Sequence, residues 1–181
     1  MRIIGGQYRG KKLISPKSDS VRPTSDQSRE SVFNILNSKL HKAWGDIALL
    51  DIYTGTGAFA LEAISRGIKS ATLIDLDTSN AAKNIALFPK EQNKIKLLRT
   101  DATKLPKSDK KYDLIFMDAP YQKQFSEKTL DSLIKGDYLD NNTIIIVELY
   151  KDEELIPSSN LELIDQRIYG IAQFLFLRQK K

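Results

Sequence analysis

Residues 118 to 121 read DAPY, directly behind the apolar run YDLIFM. A carboxylate followed by a fixed carbonyl can accept both N–H bonds of an exocyclic amine on adenine, cytosine or guanine. Such an amine is a poor nucleophile because its lone pair is delocalised into the ring. Two acceptors, the carboxylate of Asp118 and the backbone carbonyl of Ala119, would draw the nitrogen towards tetrahedral geometry, and would help most as charge develops during attack on a methyl sulfonium. Pro120 fixes its own φ and biases Ala119 towards an extended conformation, which aims that carbonyl. Tyr121 offers a flat face for a base. This chemistry needs no metal and no histidine. Taken alone, the same four residues also read as a plain turn closing a strand.

A second group of residues argues for more than a turn. In LLDIYTGTGAFALEAISRG, Gly55 and Gly57 let the chain turn sharply between a strand and a helix that Gly67 closes, and the unpaired N–H groups at the helix start make a shelf for a ligand. The pattern at Gly55, Gly57 and Ala60 is shared with nicotinamide enzymes, and no GK[ST] follows, which excludes a Walker-type phosphate loop. Asp51 ends the first strand, Asp75 the second, and Asp101 follows the third. A single aspartate at such a position is commonly a cap or turn former. Three in succession along one sheet edge point to a ligand, with the second placed for ribose hydroxyls and the third for an adenine amine. Asp77 competes with Asp75 for the ribose.

The elements that must carry these residues follow from alternating apolar runs and amphipathic stretches between Asp46 and the last residues. They predict an α/β fold with a mostly parallel sheet covered by helices on both faces. The last two runs, LELIDQRIYG and AQFLFLRQ, have no helix between them and predict an antiparallel hairpin at the sheet's edge. SDQSRESVFNILNSKL places Val32, Phe33, Leu36 and Leu40 on one helical face, with Ser25 or Asp26 as its cap. MRIIGGQYRGKKLISP, with glycines at 5, 6 and 10, predicts a small hairpin projecting from the body. One domain spans 1–181, with 1–44 a basic extension and 45–181 the cofactor-binding core.

The 181 residues contain no cysteine, which removes disulfides, thiolate nucleophiles and Cys-based metal sites. The N-terminal stretch has no signal-like apolar segment, and no run approaches a bilayer span, so a cytoplasmic protein without membrane contact is expected. Residues 1–44 hold nine basic side chains against three acidic, whereas the remainder holds 19 against 20. A basic leading segment suits a polyanion partner as well as it suits a solvated surface. His41 and Trp44 read as residues of a helix end.

The order of glycine loop, strand-end acids and D-x-P-Y resembles the class I S-adenosylmethionine-dependent methyltransferases that act on amino nitrogens. MRIIGGQYRGKKL, RPTSDQSRESVFNIL, LDIYTGTGAFALEAISRG, ATLIDLD and the late YG at 169–170 closely resemble the RsmD family, which modifies guanine N2 in bacterial 16S ribosomal RNA. The resemblance implies a Rossmann-like sheet of seven strands with one antiparallel edge strand, S-adenosylmethionine as methyl donor and no metal. It implies that Asp51, Gly55 and Gly57 line the methionine part of the cofactor, Asp75 its ribose, and Asp101 with Ala102 its adenine, with Tyr53 and Asp118 also touching the cofactor. Arg22, Pro23 and Thr24 would lie close to cofactor and RNA, with Arg2, Arg9, Lys11 and Lys12 also facing RNA. Asp118, Ala119, Pro120 and Tyr121 would hold the guanine. The substrate would be the small ribosomal subunit or an assembly intermediate, with ribosomal proteins helping, and the enzyme a monomer. The family usually has a second proline where Ala119 stands, and Tyr53 replaces the first glycine of the wider pattern. Alternatives are an amino-methyltransferase for adenine N6 or a protein glutamine, a nicotinamide-dependent oxidoreductase, and a non-catalytic RNA-binding protein.

Overall fold

The computed structural model describes residues 1–15, 26–120 and 125–180. Its elements in chain order are α1 (Asp26–Lys39), β1 (Ala48–Ile52), α2 (Ala58–Ser65), β2 (Ser70–Asp75), α3 (Ser79–Ile85), β3 (Ile95–Arg99), β4 (Leu114–Asp118), α4 (Phe125–Lys135), β5 (Ile144–Tyr150), β6 (Leu161–Tyr169) and β7 (Ala172–Gln179). They build one seven-stranded sheet in the order β3-β2-β1-β4-β5-β7-β6. The first five strands are parallel, and β7 runs antiparallel to both β5 and β6. The hairpin expected at the edge is β6–β7, and its reversed member β7 lies one place in, so that β6 forms the edge. A register shift between Leu163 and Asp165 interrupts the regular pairing of that outer strand. The strand order reverses between β1 and β4, where α/β sheets open a crevice at their carboxyl ends.

Alternation along the central strands supplies a core to each face. Leu49, Leu114, Phe116 and Ile146 face α1 and α2, and Phe59 of α2 stacks between Phe116 (3.8 Å between ring centroids) and Phe33 of α1 (4.8 Å). Leu50, Ile52, Ile115 and Met117 face Leu130 and Leu133 of α4. Trp44 tucks against Phe33 at the end of α1, and its indole N–H donates to Asn37.

The N-terminal hairpin does not project. Its strands meet through Ile3 N–H to Lys11 O (2.9 Å) and Leu13 N–H to Met1 O (3.1 Å), and Ile3 and Leu13 are buried against Leu61 and Phe88. A two-stranded hairpin cannot bury its own apolar side chains, and α2 provides the missing face. The Glu62 carboxylate, wholly buried, accepts the N–H groups of Ile4 (2.7 Å) and Gly5 (2.8 Å). Gly6 has φ +75° and lies so close to α2 that a Cβ there would come within 1.9 Å of the Ser65 carbonyl oxygen. Among the described residues no helix is long and apolar enough to cross a membrane.

Candidate active site at the strand ends

Between β1 and α2 the chain makes three left-handed turns, at Tyr53 (φ 58°), Gly55 (52°) and Gly57 (76°). Gly57 precedes the first residue of α2, and a Cβ on it would press within 3.2 Å of Leu73. Tyr53 bears a Cβ in a backbone region that costs such residues about 1–2 kcal/mol. Its hydroxyl shares a 2.6 Å hydrogen bond with the Thr129 hydroxyl and its ring lies beside Phe125. The strained residue is thereby fastened to α4, and the glycine loop is held from both flanks.

The four acids near this loop take different roles. Asp51 is buried and turned inward, its carboxylate accepting from the Thr54 hydroxyl (2.7 Å) and from Ala60 N–H (3.3 Å). Burial pushes its pKa up to about 7 in spite of these bonds, and the charges of Asp75 and Asp118 push the same way. Asp75 accepts from Gly55 N–H (2.8 Å) through one oxygen and from Asp77 N–H (3.1 Å) through the other. Asp77 accepts from Ser79 N–H (3.0 Å), and this bond to the start of α3 holds its carboxyl below the usual range. Asp101 accepts the Thr103 hydroxyl (2.7 Å) and N–H (2.9 Å), which lower its pKa and cap a short turn containing the buried Ala102. Of the two candidates for a ribose, Asp75 stands against the glycine loop with a backbone N–H on each oxygen, and Asp77 holds the start of α3 through one oxygen.

Asp118 is the last residue of β4 and pairs in register with Glu148 of β5. Burial, reinforced by the adjacent Glu148 charge, drives its pKa well above the ordinary carboxylate value, and no described residue donates a hydrogen bond to it. Ala119 is buried and Pro120 exposed. Tyr121, Arg22, Pro23 and Thr24 lie outside the described residues. Two neighbours of the site escaped the sequence reading. Glu148 is 2 % exposed, and the signal was an acid inside the apolar run IIIVELY; Leu76, 62 % exposed beside Asp75, is an apolar side chain left open at the strand-end rim.

The N-terminal cations are not equivalent. The Arg2 guanidinium is bonded to Asp26 (3.2 Å), and the Lys11 ammonium bonds the Leu87 carbonyl while sitting 4.5 Å over the Phe88 ring. Arg9 and Lys12 are exposed and make no ion pair among the described residues. The buried Arg29 serves the fold, donating to Arg2 O and to Asp26. No cluster of three or more metal-ligating side chains occurs among the described residues.

The family model described as conserved hypothetical protein 95 matches residues 1–178. The ribosomal RNA small subunit methyltransferase D of Haemophilus influenzae is 31% identical over 180 residues, covering 96% of this chain and 91% of the relative. The protein of the same name from Escherichia coli K12 is 32% identical over 186 residues, covering 99% and 90%. The solved structure of yhhF from Escherichia coli superposes with a TM-score of 0.81 at 28% identity, over 99% of this chain and 98% of that one.

Proposed function

The chain belongs to the family described as conserved hypothetical protein 95, and from that premise we propose that it methylates ribosomal RNA of the small subunit, on the exocyclic N2 amine of a guanine. The methyl donor is S-adenosylmethionine, which supplies a methyl group made electrophilic by its sulfonium. The reading is carried by Asp118, a half-buried strand-end carboxylate beside the point where the strand order reverses, with no described donor of its own.

The residues present fit such a donor. A Cβ on Gly55 would meet nothing closer than 3.9 Å, so the shelf has room for a ligand. Asp75 would accept ribose hydroxyls, and the exposed Leu76 would cover one face of the adenine. Asp101 and the backbone at Ala102 would serve the adenine edge. Asp51 works one step removed, holding Thr54 and the first turn of α2. The Asp118 carboxylate and the Ala119 carbonyl would accept the two amine N–H bonds, and the carboxylate becomes a better partner as the nitrogen gains positive charge. Its raised proton affinity suits it to take up the proton that the amine must lose once the N–C bond forms and the S–C pair leaves on sulfur. Tyr121 would stack on the base. We infer further that the protein acts as a cytoplasmic monomer on an assembly intermediate or the small subunit, where ribosomal proteins present a base already exposed.

The test is transfer of labelled methyl from S-adenosylmethionine to small subunits, or their intermediates, from cells lacking this protein, followed by nucleoside analysis. Label confined to N2-methylguanosine is expected. Label in N6-methyladenosine, or in a protein amide, would overturn the guanine assignment.

A further inference from the structure

Four lysines line one cleft of about 370 Å³ on the α4 side of the molecule. Lys104 ends the short turn capped by Asp101, Lys107 follows in the next loop, and Lys128 and Lys135 rise from α4. Their backbone supports are fastened in advance. Leu105 N–H donates to the Ser132 hydroxyl (2.7 Å) and Ser108 N–H to the Gly136 carbonyl (2.8 Å). At Gly136 the loop and helix are so close that a Cβ would lie 2.9 Å from the Ser132 carbonyl oxygen and 3.0 Å from that of Pro106. All four lysines are exposed. None is in an ion pair among the described residues, whereas Lys39, Lys42, Lys94 and Lys111 each hold a carboxylate. The cleft contains one acid, Asp131.

Four ammonium groups around one concavity, offset within it by the single carboxylate of Asp131, leave an excess of positive charge that gains from any ligand bringing negative charge. Lys128 and Lys135 are two helical turns apart, roughly 10 Å along the axis, too far for a single phosphate to bridge. A chain of successive phosphates would meet them together with Lys104 and Lys107. The cleft also begins where the proposed site ends, because Thr103 both lines it and is held by Asp101. The N-terminal hairpin, with Arg9 and Lys12, packs on α2 and so belongs to the opposite face of the sheet.

We propose that this lysine cleft is a second anchor for the phosphodiester backbone of the substrate RNA, gripping the strand on the α4 face while the hairpin grips it on the α2 face. The target base would then enter the strand-end crevice between two backbone holds. This inference rests on the reading of RNA as the substrate.

The experiment compares the parent protein with the fourfold variant Lys104→Gln, Lys107→Gln, Lys128→Gln, Lys135→Gln, binding a small-subunit RNA fragment over a range of salt. Substituting exposed lysines leaves the core intact, and an unchanged urea midpoint checks this. Expected is at least a tenfold loss of affinity at low salt and a shallower dependence of log K on log salt, by about 0.7 to 0.9 per lost contact. Affinity for S-adenosylhomocysteine should not move, and Asp131→Asn should tighten RNA binding. A fourfold variant with the parent's slope, in a parent that still methylates small subunits, overturns the cleft and leaves the reading standing. A parent that binds inorganic phosphate or an acidic protein through these lysines, but no RNA, overturns the occupant and the reading together.

Discussion

Asp118 and Asp51 end neighbouring strands but differ in exposure, Asp51 being turned inward and Asp118 only half-buried, and single substitutions separate the roles proposed for them. Asp118→Ala removes one of the two amine acceptors proposed above, and loss of such a preorganised partner costs a rate factor on the order of 10² to 10³. Single-turnover methyl transfer should fall by that factor, while calorimetric affinity for S-adenosylhomocysteine stays within about twofold; persistent turnover would rule the carboxylate out as an acceptor. Asp51 has a folded-state pKa raised from 3.8 to about 7 by burial. Between those values the folded protein holds more protons than the unfolded chain, so stability declines as pH rises through that window. Asn at this position keeps an acceptor for Thr54 and Ala60 but carries no charge to bury. Asp51→Asn should therefore be the less stable protein near about pH 4 and gain on the parent by about a few kcal/mol towards pH 8, read from urea midpoints at both ends. A difference independent of pH would show that the carboxylate is not strained by its burial.

Elements were easier to read from the sequence than the bonds between them. Strands and helices announced themselves through alternation and 3.6-residue spacing, and the glycines at 55 and 57 marked the loop because no other residue turns so freely there. What stayed hidden depended on long-range partners. Glu62 in LEAIS looks like a solvent-facing helix residue, and only the folded chain shows that it is the clamp for Ile4 and Gly5, 58 and 57 residues away in sequence. Asp77 and Asp101 matched ligand positions by spacing, although Asp77 and one oxygen of Asp101 already serve nearby turns. Gly6 is the element-scale test. Gly6→Ala would combine a positive φ with a Cβ 1.9 Å from the Ser65 carbonyl oxygen, enough to cost at least about 2 kcal/mol of docking. Hydrogen exchange should quicken at the amides of Ile4, Gly5 and Tyr8, which donate to Glu62 and Ser65, and should be unchanged at Leu49 and Leu50 in the central sheet. Equal protection of the hairpin in both proteins would refute the docking.

Across the whole molecule, the central strands contribute to both cores, so neither face can unravel without exposing the other. Trp44, the single tryptophan, reports on the end of α1, whereas far-ultraviolet circular dichroism reports on every element. The two signals should give coincident urea transitions, as one cooperative unit requires; separated midpoints would divide the N-terminal extension from the core. Charge is also a property of this scale. The count along the chain located a basic segment at the N-terminus but could not find the cleft, because Lys104, Lys107, Lys128 and Lys135 converge only when α4 folds back over the turn after β3.

The register shift in β6 carries a consequence beyond its own geometry. A straight outer strand with Leu163 and Ile168 open to water would offer a template for a second copy of the chain to extend the sheet. The register shift after Leu163 breaks the regular row of donors and acceptors that such an extension needs, and Glu162, Asp165 and Arg167 place charges along the same strand. The outermost strand is thereby a poorer template for fibre-like extension than a regular edge would be.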